Sequence, residues 1–251
     1  MFKLKKSPLL TLKYDLYIIK EQKKEKRKKM MIKAVIFDLD GTVLDTLSTI
    51  AHFGNLALEH FGFDAIDNEE YKYFAGDGKV QLIHRMLKYH GADDEETFNK
   101  VEAKYDKEYE ADPVYTTKPF IGIVPELEKL KQRGVKLAIL SNKPDNVTVM
   151  VAKQIFGDLF DIIHGKRDNI GKKPNPEGTK LLLGELGAEV SECVFVGDTN
   201  VDIYTAKNVG MKSIGVLWGF RDEKELKDAK ADYIIEKTDQ IYDTILKIEN
   251  E

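Results

Sequence analysis

Ile32-Lys33-Ala34-Val35-Ile36-Phe37 runs directly into Asp38-Leu39-Asp40-Gly41-Thr42. The first part is apolar and rich in β-branched residues; the second is polar and carries a glycine. That is the pattern of a buried parallel strand emptying into a tight turn. Three runs downstream repeat it. Residues 135–140 end at Ser141-Asn142, residues 193–196 at Gly197-Asp198, and residues 212–217 at Trp218-Gly219. Residues 160–163 are a shorter strand candidate, and residues 232–235 read as an edge strand. Helical patterns at 124–133, 176–186 and 201–209 separate the runs. Pro125 near the start of one and glycines after the ends of all three (Gly134, Gly187, Gly210) are the usual punctuation of helices. Strand alternating with helix predicts an α/β fold with a doubly wound parallel sheet.

Residues 47–117 interrupt the alternation. Helical patterns at 48–60, 79–89 and 94–109 follow one another with little strand signal, and seven Lys/Arg stand against fifteen Asp/Glu. An all-helical domain inserted after the first strand accounts for both facts, with Pro113 and Pro119 marking its exit. The expected division is therefore a core of residues 31–46 and 118–251, with residues 47–117 inserted as a separate helical domain.

The chain has 251 residues, 42% of them hydrophobic, which supplies a core and excludes bulk disorder. No apolar run is long enough to span a membrane. The single Cys193 excludes an internal disulfide, and with no zinc-like Cys/His spacing it suits a cytoplasmic protein. The net charge of −4 hides an asymmetry: residues 1–30 hold eleven Lys/Arg and three Asp/Glu, leaving 28 against 40 for the rest. An acidic body argues against nucleic acid as its partner and suits a small substrate with a metal ion. The basic segment 1–30 reads as a flexible extension, or a start placed ahead of Met30-Met31; a basic arm for RNA or an anionic surface is the sharper alternative.

In open α/β sheets, ligands bind beyond the carboxyl ends of the strands. Asp38 and Asp40, Ser141 and Asn142, and Asp198 and Asp202 all fall at or just beyond such ends. Each fragment has a plain reading when taken alone. Asp-x-Asp-Gly is a common turn, Ser141-Asn142 and Asp198 are fit to cap helices, and Lys173 beside Lys172 suits a solvated surface. Their order and placement together are far more specific.

Taken together, these segments resemble the haloacid dehalogenase superfamily of phosphohydrolases. Asp38-Leu39-Asp40-Gly41-Thr42 resembles its first motif, Ser141 the second, Lys173 before Pro174 the third, and Gly197-Asp198-Thr199-Asn200-Val201-Asp202 the fourth. The similarity covers about residues 31–237 and is greatest to the phosphoglycolate phosphatase-like branch, whose helical cap is inserted between the first two motifs. Residues 214–220 also resemble that branch. The resemblance implies a Rossmann-like core and a Mg²⁺-dependent phosphatase acting on a small phosphorylated metabolite, as a monomer or homodimer. It implies Asp38 as nucleophile and Asp40 as acid and base. Asp38, Asp198 and the Asp40 carbonyl would hold the metal, with Asp202 acting through water or from behind. Ser141 and Lys173 would hold phosphate oxygens, helped by the backbone N–H groups of Asn142 and Leu39. The residue types agree: a carboxylate can attack phosphorus, and crowded carboxylates call for a hard cation.

Substrate choice falls to the inserted helices. Ala75-Gly76-Asp77-Gly78-Lys79 is the best candidate segment: Gly76 and Gly78 let backbone approach a ligand, and Lys79 is placed to pair with a substrate carboxylate such as that of 2-phosphoglycolate. A helix-start turn with a solvated Lys79 fits the same residues, and Arg85 is a weaker candidate. Phosphosugar mutase and pyrophosphatase chemistry, and a non-catalytic phospho-ligand module, are the competing functions. Ile50 stands where a mutase of this superfamily carries a cap histidine, with His52 two residues on. The five histidines are expected to be surface or packing residues, and Cys193 a buried structural thiol.

Overall fold

β1, Ala34–Phe37, is fully buried, and its alternate side chains feed two different layers. Val35 and Phe37 join Leu127, Leu137 and Ile139 on one face, while Ala34 and Ile36 join Leu182, Leu186 and Phe195 on the other. A strand apolar on both faces belongs in the middle of a parallel sheet covered by helices on each side. The computed structural model, which describes residues 31–251, places it there. The basic segment 1–30 lies outside the described residues.

β1 pairs in parallel with β4, Lys136–Pro144, on one side and with β6, Cys193–Gly197, on the other. Adding β5 (Ile162–Lys166), β7 (Lys212–Val216) and β8 (Tyr233–Ile235) gives a six-stranded sheet in the order β5-β4-β1-β6-β7-β8. All its pairings are parallel, and β8 is an edge, as expected. The chain moves from β1 out to β4 and β5, then crosses back to β6. The carboxyl ends of β1, β4 and β6 therefore border the crevice where the winding reverses.

The sheet is completed by α5 (Ile123–Gln132), α6 (Asp145–Phe156), α7 (Pro176–Leu186), α8 (Asn200–Lys207), α9 (Glu223–Asp228) and α10 (Ile241–Ile248). Between β1 and β4 lie β2 (Leu44–Asp45) and β3 (Lys118–Pro119), an antiparallel pair with Leu44 opposite Pro119. This short ribbon ties together the two ends of a helical insert. The insert holds α1 (Leu47–His60), α2 (Asn68–Phe74), α3 (Lys79–Tyr89) and α4 (Glu95–Ala111). Its apolar residues Phe53, Leu58, Ile83 and Met86 belong to the same cluster as Val35 and Phe37. Tyr71 is fully buried within it and donates to Asn55 Oδ1 at 2.9 Å; a Cβ on Gly54 would collide with its hydroxyl.

Among the described residues no helix is long and apolar enough to cross a membrane. Cys193 is buried, and burial pushes its thiol up to about 12, so it is a packing group rather than a nucleophile. Trp218 packs near Phe120 and donates its ring N–H to the Thr42 carbonyl at 2.9 Å.

Candidate active site

The turn after β1 is built by one carbonyl. Leu39 O accepts from the N–H groups of Thr42, Val43 and Leu44, folding the chain tightly back on itself. Gly41 sits at φ +83° with Asp198 against it, a conformation and a clearance that favour glycine. Asp38 and Asp40 thus leave the end of β1 on a rigid turn rather than a free loop.

β4 extends further than its apolar run predicts, through Ser141, Asn142 and Lys143 to Pro144, with a register shift against β5 after Leu140. Ser141 and Asn142 are therefore strand residues; Pro144, not they, precedes α6 at its N-cap. The Asn142 side chain acts as a clamp on other backbone. Its Oδ1 accepts from Lys173 N–H at 2.8 Å, and its Nδ2 donates to Lys173 O at 3.2 Å and Gly76 O at 3.3 Å. This fixes Lys173, which is 4% exposed and so is not a solvated surface group. Its ammonium lies 2.8 Å from Asp38 Oδ1 and 2.7 Å from Asp202 Oδ1. Burial alone would lower that ammonium, but Asp202 and Asp38 outweigh it and hold it above its ordinary value.

Asp198 follows β6 and is fully buried. The N-cap of α8 is Thr199 and not Asp198. Thr199 forms a capping box with Asp202, whose Oδ2 accepts from the Thr199 N–H at 3.0 Å and hydroxyl at 2.9 Å. Asp198 is left to face the crevice, oriented by the Thr42 hydroxyl at 2.8 Å and the Phe220 N–H at 2.8 Å. Carboxylate oxygens of Asp38, Asp198 and Asp202 all lie within 4.8 Å of one another, the one acidic or Cys/His group of this kind among the described residues.

Beside this cluster, Lys143 reaches both oxygens of Asp40, at 2.9 and 3.2 Å. It was not singled out by its sequence. Burial opposes its charge, but Asp40 outweighs it and raises the ammonium. Fully ionised, the four acids would meet two ammonium groups, an excess of two negative charges in a buried site. An oxygen-only donor set with that surplus suits a hard divalent ion such as Mg²⁺. Gly41 and Gly219 pack against Asp198, where a Cβ on either would overlap its side chain.

The electrostatics give a testable consequence. Burial pushes Asp198 up to about 7, with the Asp202 charge adding to it and the Phe220 and Thr42 hydrogen bonds opposing. Burial likewise raises Asp38 well above the ordinary range; Lys173 opposes this, while Asp202 and Asp198 add to it. Without metal, the native state keeps protons that the unfolded chain releases near 3.8. Stability should therefore fall as pH rises toward about 7. A bound cation favours the ionised carboxylates and offsets that loss. Mg²⁺, relative to EDTA, is expected to raise the melting temperature more at about pH 8 than at about pH 5.5. An equal increment at both would contradict the site.

A cavity of about 170 Å³ opens over Asp38 and Asp40. That is below the roughly 300 Å³ at the lower end of pockets for drug-sized ligands. The core side supplies Ser141, Asn142 and Lys143, and the insert supplies Gly76, Gly78, Lys79 and Tyr109. Residues 75–79 lie against the core, where Lys172 Nζ donates to Asp77 O at 2.8 Å and Arg221 to Ala75 O at 2.9 Å. A Cβ on Gly78 would stand 3.0 Å from Asn142 O. Lys79 lines the cavity, but its ammonium is bound by Asp106 at 2.6 Å and Glu102 at 3.0 Å. Arg85 is engaged with Asp77 and the Phe74 carbonyl. His52 stacks on Tyr115, His84 bonds Asp93, and His164 meets Glu185.

This arrangement has known counterparts. The family described as Haloacid dehalogenase-like hydrolase matches residues 35–216. The chain belongs to the haloacid dehalogenase-like hydrolases. Within this family it is 32% identical over 221 residues to a phosphoglycolate phosphatase of Neisseria meningitidis, covering 85% of this chain and 94% of that one. It is 34% identical over 191 residues to a phosphoglycolate phosphatase of Aquifex aeolicus, covering 75% and 86%. A crystal structure from Lactobacillus delbrueckii subsp. bulgaricus superposes with a TM-score of 0.83 at 32% identity, over 86% of this hydrolase and 99% of that chain.

Proposed function

We propose that this hydrolase is a Mg²⁺-dependent phosphatase of small phosphomonoesters, working through an aspartyl-phosphate on Asp38, with 2-phosphoglycolate its best substrate. The observation that carries the reading is the meeting of Asp38, Asp198, Asp202 and Lys173 at the ends of β1 and β6. The relatives named phosphoglycolate phosphatase support the choice of substrate.

In this reading Asp38 and Asp198 side chains and the Asp40 carbonyl hold the cation, with Asp202 behind them. When bound, Mg²⁺ neutralises charge on the transferring phosphoryl group. Asp38 attacks phosphorus, and the P–O bond to the leaving group breaks. Among the described residues, the Lys173 ammonium and the Leu39 N–H both contact the Asp38 carboxylate at Oδ1. Oδ2 is then the attacking atom. Asp40 gives a proton to the leaving oxygen, then takes one from the water that attacks the phosphorus of the intermediate. Phosphate and a free Asp38 carboxylate result. Ser141 Oγ, Lys173 Nζ and the Asn142 N–H hold phosphoryl oxygens, and the Leu39 N–H joins them on leaving Asp38 Oδ1.

Residues 47–117 act as a cap over a core of residues 31–46 and 118–251, closing to exclude water and opening to exchange ligands. Gly76 and Gly78 allow its loop to approach the core closely. The mutase alternative is weakened by Ile50, which lines the cavity as a plain apolar wall.

A phosphate-release screen over small phosphomonoesters, phosphosugars and pyrophosphate tests the reading. Release from a small monoester, with 2-phosphoglycolate fastest, abolished by EDTA and restored by Mg²⁺, is the expected result. Undiminished release in EDTA, or release from pyrophosphate alone, would refute it.

A further inference from the structure

We propose that Lys143 and Tyr109 form the subsite that receives a carboxylate on the leaving group, in place of Lys79. The inference rests on the phosphatase reading above and names the groups that select its substrate.

The position of Lys143 is the first argument. Its Nζ lies 2.9 Å from Asp40 Oδ1, and its side chain is 9% exposed. If Asp40 serves the leaving oxygen, this ammonium stands one hydrogen bond further out. In 2-phosphoglycolate a single carbon separates the leaving oxygen from the carboxylate. The carboxylate must then fall beside Asp40, within reach of Lys143. An ammonium carries three donors, and the groups beside this one are the Asp40 carboxylate and the Tyr109 phenol, so a single acid is all that balances its charge.

Tyr109 supplies the second argument. It lines the same cavity and is 4% exposed, and its buried hydroxyl has no acceptor for its proton among the described residues, since the Lys143 ammonium beside it can only donate. Its ring centroid is 4.8 Å from Lys143 Nζ. A buried O–H left without an acceptor is costly, and an incoming carboxylate oxygen would supply one.

Lys79 is the poorer receptor. One ammonium there is shared by Glu102 and Asp106, so its surroundings are net negative and disfavour an anion. Lys143 faces a single carboxylate instead. Lys143 comes from β4 and Tyr109 from α4, so a carboxylate held by both would bridge core and insert directly over Asp40.

Comparing kcat/KM for 2-phosphoglycolate and ethyl phosphate tests the subsite, since the second substrate keeps the ester and lacks the carboxylate. The wild type should prefer 2-phosphoglycolate. Tyr109→Phe, which removes one oxygen and keeps the ring, should lower that preference about tenfold, and Lys143→Met about a hundredfold. Lys143→Arg should recover part of it, and Lys79→Met should leave the ratio within about twofold. Equal losses on both substrates in Lys143→Met would make Lys143 a positioning residue for Asp40 and overturn the proposal. So would collapse of the preference in Lys79→Met. A wild type that hydrolyses both substrates equally removes the subsite alone, whereas one that releases phosphate from neither removes the phosphatase reading itself.

Discussion

Asp38→Asn is expected to lower phosphate release by at least about a thousandfold while leaving the fold intact. The amide occupies nearly the same volume, but it is a far weaker nucleophile than a carboxylate and carries no charge for a cation or for Lys173. The 2.8 Å ion pair becomes at best a neutral-acceptor hydrogen bond. Stability should suffer little, because burial already works against the charged form of Asp38. Steady-state kinetics and thermal melts on the same preparation separate the two effects. Activity within tenfold of wild type would remove Asp38 from the nucleophile's role.

Lys173→Met is expected to damage both activity and stability. Its ammonium is 3% exposed and lies between Asp38 and Asp202, both buried. Methionine fills the volume but leaves two carboxylates without their partner in low dielectric. Breaking a buried pair in this way costs about 3–5 kcal/mol. Partial protonation of Asp38 relieves some of that cost, so the loss should sit at the lower end of the range. Catalysis falls for a related reason, because a protonated Asp38 cannot attack. Urea unfolding in EDTA isolates the stability component. Unchanged stability would show that Lys173 is not the partner of both acids.

What was legible in the sequence was local. Each strand-end motif combines an apolar run with the polar residues beyond it, and both lie within a few residues of each other. Hence Asp38 and Asp198 are legible as strand-end groups, whereas Ser141 lies inside β4, three residues before its end; the parallel sheet with its edge at Tyr233–Ile235 follows from the alternation. Pro176–Leu186 and Lys79–Tyr89 fall where their periodicity and punctuation put them.

Other features were hidden for physical reasons. β2 and β3 have two residues each, too short for a period. Asp145–Phe156 carries Val147, Thr148, Val149 and Val151, β-branched residues with strand preference; packing of Val147 and Val151 into the core holds it helical. Lys143 pairs with Asp40 across 103 residues, and Thr42 orients Asp198 across 156. No periodicity encodes such partners. The one available clue to Lys143 was its place directly after Ser141-Asn142. Tyr109 reads like any aromatic on an amphipathic helix, and its lack of an acceptor is visible only once the cavity is formed.

The central claim is that phosphorus becomes bonded to Asp38 during turnover. The direct measurement is borohydride trapping: the enzyme is mixed with p-nitrophenyl phosphate and Mg²⁺, quenched, reduced, digested and analysed by peptide mass spectrometry. An aspartyl-phosphate is reduced to homoserine, so the account predicts homoserine at position 38, dependent on both substrate and Mg²⁺ and absent in Asp38→Asn. An unmodified Asp38 in enzyme quenched while phosphate is being released, or a trapped residue elsewhere in the chain, would contradict it.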